Sequence, residues 1–331
     1  MTEAEVATKA PESDVQEAPA PAATDDPAPA APKMSDHCTS DRPTPSGQAS
    51  TGELTKMGGV DVYISKPADY PHAPARLLLL LTGGTGVKSV NNQIQADRFA
   101  TEGFVAVMPD LFDGDPAPNT STVVDEPTGS FLDTIKTKAA ETAKSFMIDM
   151  WLARHTEEKV MPILNKVLDA IKDEFADAVA HGGGIYAIGY CFGGRYVLLL
   201  AAERPAHPQL QSIPTPWSTQ KPADEEASKP EKVGPLIKTG VIAHATLVSP
   251  DDFNGLQVPV SLVCVENDPL FPDEVRTAGE DYLTKNNVEH EVQVYPGVPH
   301  GFAVVGEYED PNIKSAQATA FDQALKWLKE H

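Results

Sequence analysis

The chain has 331 residues, enough for one large α/β domain or two small ones with a sizeable core. Its net charge of −22 and pI near 4.7 argue against nucleic acid or an anionic membrane as a partner, because phosphate binding needs clustered Lys and Arg. Three cysteines, Cys38, Cys191 and Cys264, make no disulfide framework and favour a reducing compartment. The start MTEAEVATKAPESD lacks the apolar core of a signal peptide, and no apolar run approaches the ~18 residues that span a bilayer. A soluble cytoplasmic protein is expected.

Residues 1–35 are Ala, Pro and acid with almost no large apolar side chains, so a disordered tail is expected. The Ser-, Thr- and Pro-rich stretch 36–52 reads as loop, with ordered structure beginning near Leu54. Leu54–Lys56 and Val60–Ser65 flank Gly58-Gly59 as a hairpin. Arg76–Leu81 and Phe104–Met108 are continuous apolar runs, the mark of strands covered on both faces. A helix is predicted over Asn92–Thr101. Helical periodicity runs from about Thr134 to Ala178, with Pro162 as a boundary or first-turn residue. The strand 184–190 and an unbroken apolar helix follow. Residues 204–236 are rich in Pro and charge and read as a lid or mobile insertion. Beyond it come strands 241–247 and 258–265, a helix over 273–285, a strand over 289–295 and a last amphipathic helix over about 311–330. This alternation predicts a single doubly wound, mostly parallel α/β sheet flanked by helices, in one domain spanning 36–331.

The chemistry centres on HGGGIYAIGYCFGGRYVLLLA (181–201), where Cys191 sits between Gly189 and Gly193. Strand, sharp turn and helix with one reactive side chain at the tip is the layout of a nucleophile elbow, here G-x-C-x-G. A helix N-terminus at Cys191 is expected to favour thiolate and lower the thiol pKa. In parallel sheets catalytic groups gather at the carboxyl ends of strands. Asp268 ends the run SLVCVEND, and His300 follows the strand ending at Tyr295. The order nucleophile, acid, histidine is that of the α/β-hydrolase fold. Oxyanion donors would be the Phe192 N–H and one from the loop after strand 76–81, with Gly84 the best candidate.

GYCFGG (189–194), PDLF (109–112), the Asp in ENDPLFP (266–272) and PHGF (299–302) together resemble the dienelactone hydrolase family, particularly its fungal members. The match covers roughly residues 54–331 without the 204–236 insertion. The resemblance implies Cys191 as nucleophile, Asp268 as orienter, His300 as base and Gly84 at the oxyanion position, acting on a small-molecule ester or lactone through a thioester, without metal or organic cofactor. It also marks two departures. Bacterial members carry a glutamate where this chain has Gly83, and an arginine after the histidine where it has Val304.

Other residues carry two readings each. Asp268 either orients His300 or caps the helix near Asp273. Arg195 supplies a positive contact to substrate or faces solvent. His244, inside a predicted strand, reaches the pocket or is a satisfied core histidine. Trp217 and Phe271 line the pocket or simply pack. Cys264 reads as core. Cys38 lies beside His37 in a loop, and a metal role there would need more ligands than the neighbouring sequence supplies. The competing function is a binding or regulatory protein of the same fold with vestigial catalysis.

Overall fold

A computed structural model describes residues 36–118, 131–205 and 232–331. The expected tail 1–35 and residues 206–231 of the expected insertion, Trp217 included, lie outside the described residues.

In chain order the elements are α1 (Asp36–Thr39), β1 (Glu53–Met57), β2 (Val60–Ser65), β3 (Arg76–Leu81), α2 (Val90–Thr101) and β4 (Phe104–Pro109). Then come α3 (Phe131–Arg154), α4 (Glu157–Glu174), α5 (Ala176–Gly182), β5 (Ile185–Tyr190) and α6 (Phe192–Ala201). A two-residue ribbon, β6 (Arg204–Pro205) with β7 (Lys232–Val233), precedes β8 (Thr239–Ala243), β9 (Val260–Val265), α7 (Asp273–Lys285), β10 (His290–Tyr295) and α8 (Pro311–Glu330). Eight strands form one sheet in the order β1-β2-β4-β3-β5-β8-β9-β10. The β1–β2 and β2–β4 pairs are antiparallel, and the remaining pairs are parallel.

The apolar strand runs are explained by cover on both faces. Leu77, Leu79 and Leu81 of β3 join the layer that includes α4 and α6, while Leu78 and Leu80 join the layer of α2 and α8. Strands β4 and β5 split in the same way. All five leucines are fully buried, and each contributes at most about 1.5–3 kcal/mol relative to exposure. Because the period of a strand is two, a one-residue slip of β3 would exchange the two layers.

Several boundaries depart from expectation. Pro162 lies inside α4, and the helical stretch breaks instead at His155-Thr156, where Thr156 precedes the acidic first turn Glu157-Glu158. Strand β8 ends at Ala243, so His244 stands just past it, with a positive φ of 36°. Strand β9 ends at Val265, three residues before Asp268. Order also begins earlier than Leu54. The segment 36–52 packs on the carboxyl ends of the strands, where Ser89 Oγ donates to Asp41, Asn91 Nδ2 donates to the Arg42 carbonyl, and the Glu307 N–H donates to the Pro43 carbonyl. Among the described residues no helix is long and apolar enough to cross a membrane.

Candidate active site

Cys191 occupies the turn between β5 and α6 with φ 50° and ψ −114°. A non-glycine residue in that conformation is strained, and the surrounding close packing holds it there. The Cys191 N–H donates to the Ala243 carbonyl, and its own carbonyl accepts from Gly194 and Thr246. Gly193 makes the turn possible, since any Cβ there would collide with the Leu81 carbonyl. Its N–H donates to Thr82 O at 3.0 Å, fastening the first turn of α6 to the end of β3.

His300 arrives from the loop after β10 and Asp268 from the loop after β9. His300 Nδ1 donates to Asp268 Oδ2 at 2.7 Å, and both side chains are almost wholly buried. Asp268 also accepts from the Leu270 N–H through Oδ1 at 3.0 Å, which fixes the carboxylate plane. With Nδ1 carrying the proton toward Asp268, the lone pair of Nε2 faces the other way. Nε2 is buried and makes no hydrogen bond of full geometry. A His300 ring nitrogen and the sulfurs of Cys191 and Cys38 lie within 4.8 Å of one another. Cys38 comes from the N-terminal segment, is 2% exposed, and stands beside the groups from which the sequence separated it.

Burial, reinforced by the adjacent Cys38 sulfur, pushes the Cys191 thiol well above its ordinary range, against the Phe192 N–H bonded to it, which pulls it down. The expected lowering at a helix N-terminus is therefore outweighed by burial. Burial also opposes charge on His300, but an ionised Cys38 and the Asp268 hydrogen bond outweigh it, so the imidazole is pushed up and titrates together with Cys38.

A cavity of about 40 Å³ lies beside Cys191, walled by Cys38, Asp41, Arg42, Tyr190 and His244 among others. Gly83 and Val304 also border it. A Cβ at Gly83 would stand 3.2 Å from Cys191 Cβ and 3.7 Å from its sulfur, so glycine leaves the thiol room on that side. Arg42, whose guanidinium lies 4.7 Å from the Tyr308 ring centre, brings a cation to the wall that Val304 leaves apolar.

The other sequence candidates go to different places. His244 does reach the cavity, its ring 5.0 Å from that of His300. Arg195 does not border it. It pairs with Asp252 at 3.0 Å and Glu157 at 3.1 Å, tying α6 to α4 and to the turn after β8. Phe271 is buried in the apolar layer beneath α6, and its N–H donates to the Asp268 carbonyl at 3.3 Å. Gly84 is buried in the loop after β3, where its carbonyl accepts from Ala117 N–H at 2.8 Å. Sequence reasoning missed Cys38, Asp41 and Arg42. The one available signal was the pair His37-Cys38 in an otherwise Ser-, Thr- and Pro-rich stretch, and it named no partner.

A model of the dienelactone hydrolase family matches residues 60–331. Hydrolase pyvD of Aspergillus violaceofuscus is 28% identical over 280 residues, covering 85% of this chain and 90% of its own. Hydrolase tropI of Talaromyces stipitatus is 28% identical over 283 residues, covering 86% and 91%. Among solved structures, a candidate dienelactone hydrolase of Klebsiella pneumoniae aligns with a TM-score of 0.59 at 18% identity, over 86% of this chain and all of that one. The family match begins after the segment that carries Cys38, Asp41 and Arg42.

Proposed function

The chain belongs to the dienelactone hydrolase family and is an ester or lactone hydrolase, and from that premise we propose that it works through Cys191, His300 and Asp268 by way of a thioester. The observation that supports this most is the single buried line from Asp268 through His300 to the strained, sharply presented Cys191.

In this reading His300 Nε2 takes the thiol proton as substrate arrives, while Asp268 holds the imidazole in its working tautomer. The thiolate adds to the carbonyl carbon, and the oxyanion accepts from the N–H groups of Phe192 and Gly84. The intermediate collapses as His300 returns the proton to the departing alkoxide, leaving a thioester on Cys191. Water, deprotonated by His300, then cleaves the thioester and releases the acid. A nucleophile that is neutral at rest is compatible with this sequence, because substrate entry is what triggers proton transfer. No step calls for a metal or an organic cofactor.

The substrate is a small ester or lactone, and the acidic surface argues against nucleic acid or anionic membrane as a partner. We take residues 36–331 as the catalytic domain and 1–35 as its tail. A thiol nucleophile fits a reducing, cytoplasmic setting.

The test is hydrolysis of p-nitrophenyl acetate by Cys191→Ala and His300→Ala, with mass spectrometry of the wild type during slow turnover. Loss of turnover in both variants and an acyl adduct on the Cys191 peptide are expected. Undiminished hydrolysis by either variant would sink the mechanism and leave the fold as a binding module.

A further inference from the structure

We propose that Cys38, Cys191 and His300 form a binding site for a thiophilic divalent cation of the zinc type, and that occupancy silences the enzyme. The silencing rests on Cys191 being the nucleophile; the site itself does not.

Three features point to a metal. The donor set is two sulfurs and an imidazole, all buried, with donor atoms within 4.8 Å of one another. His300 already interacts with the Cys38 sulfur, so the imidazole and the two thiols form one contacting group. Its Nδ1 is bound to Asp268 at 2.7 Å, the carboxylate–histidine arrangement that fixes tautomer and ring plane behind a metal ligand. Asp268 thus prepares the same lone pair for a proton or for a cation.

Two neighbouring thiols also offer a disulfide, which binds no metal. A disulfide requires the sulfurs at about 2.05 Å. Around zinc, with Zn–S of about 2.3 Å and Zn–N of about 2.0–2.1 Å, tetrahedral donors sit roughly 3.4–3.8 Å apart. Donor atoms within 4.8 Å of one another reach that spacing by a modest contraction. Cys38 is on the side able to make it, since its segment is fastened by side-chain and loop contacts and is not a strand of the sheet. The cavity of about 40 Å³ beside Cys191 has room for a water as fourth ligand.

Charge favours the same occupant. Two thiolates neutralise the dication, and their two protons leave to solvent as it binds. Coordination draws the negative charge of the Cys191 sulfur into the Zn–S bond and lowers its nucleophilicity, and a metal-bound Nε2 cannot accept a proton. Zinc at this site is an inhibitor, not a cofactor.

The experiment uses the full chain, reduced and freed of metal with a chelator that is then removed. Zinc chloride is titrated against hydrolysis of p-nitrophenyl acetate, and cadmium chloride against the near-ultraviolet thiolate-to-metal absorption. Expected are loss of activity at one zinc per chain, recovery on adding chelator, and cadmium absorption of two thiolates saturating at one equivalent. Cys38→Ser should raise the zinc needed for half-inhibition by roughly 100-fold relative to its own untreated activity, and Cys264→Ser should leave it unchanged. Absence of the cadmium absorption in the wild type overturns the proposal without any variant. So does zinc inhibition indifferent to Cys38→Ser, or the finding that the two thiols are lost only to a disulfide and that the reduced protein takes up no metal. Stoichiometric binding that leaves hydrolysis intact would instead overturn Cys191 as nucleophile.

Discussion

His300 Nδ1 and Asp268 Oδ2 meet at 2.7 Å with both residues buried, and the Leu270 N–H holds the second carboxylate oxygen at 3.0 Å. Every role assigned to His300 depends on that bond, because it leaves Nε2 on the side of the ring away from Asp268, where the Cys38 and Cys191 sulfurs lie close to the imidazole.

Asp268→Asn separates orientation from packing. The amide is the same size, and its carbonyl oxygen can still accept from Leu270. If its NH₂ group faces His300, the imidazole must accept at Nδ1 and carry its proton on Nε2, the wrong tautomer for a base. Turnover of p-nitrophenyl acetate is expected to fall by about 10⁴-fold with little change in Tm. A fall of less than tenfold would mean that Asp268 is a cap for the turn before α7 and not an orienter.

Gly193→Ala tests the elbow. Its Cβ would strike the Leu81 backbone, which has no rotamer with which to yield. Forcing β3 and α6 apart should cost about 1–3 kcal/mol by urea unfolding. It should also lower kcat more than it raises KM, since the Cys191 turn and the Phe192 N–H move with the helix. An unchanged urea midpoint would show that the helix has slack the structure does not display.

Arg195 was placed beside the elbow by sequence alone and so was open to a substrate role. Its guanidinium is instead held by Asp252, itself buried and also bonded to Ser249 N–H and Oγ, and by Glu157. Arg195→Ala should lower stability by about 1–2 kcal/mol, discounted for the partial exposure of the Glu157 arm. Hydrolysis per folded molecule should stay within twofold or so of wild type. A selective rise in KM for anionic esters would restore the substrate role.

These cases show what local pattern can carry. Strand β3 and helices α7 and α8 are found at their expected boundaries because breakers and periodicity define them within a few residues. Cys191, Asp268 and His300 are legible where breakers place them, Cys191 directly after β5 and the other two in the loops after β9 and β10. Cys38 is not, because segment 36–52 has no periodicity and its partners are set by a fold-back distant in sequence. The protonation of Cys191 is also hidden from sequence. The macrodipole is a first-turn effect worth about 0.3–1 kcal/mol at exposed sites, whereas the cost of burying a charge depends on what the fold puts around it. Arg195 fails for a directional reason: its α4 partner, Glu157, follows a helix break that Pro162 led the sequence to expect elsewhere.

Asp41 gives the segment over the site its own pH dependence. Burial raises its carboxyl above the ordinary 3.8, against lowering by Ser89 and Thr85. A raised carboxyl means that the closed segment binds the proton more tightly than the open one. Its contribution is complete below the ordinary carboxylate pKa and is lost as pH rises through the raised value. Above that range Asp41 is ionised, and because the residue is exposed to solvent the desolvation penalty it carries is small. Asp41→Asn removes this penalty and keeps an acceptor for Ser89 Oγ. Hydrogen exchange of the amides of residues 38–45 should therefore slow in the variant at pH 7 and match wild type at pH 3, where both side chains are neutral. Faster exchange in the variant at pH 7 would mean that the ionised carboxylate fastens the segment, and would reverse the sign assigned here.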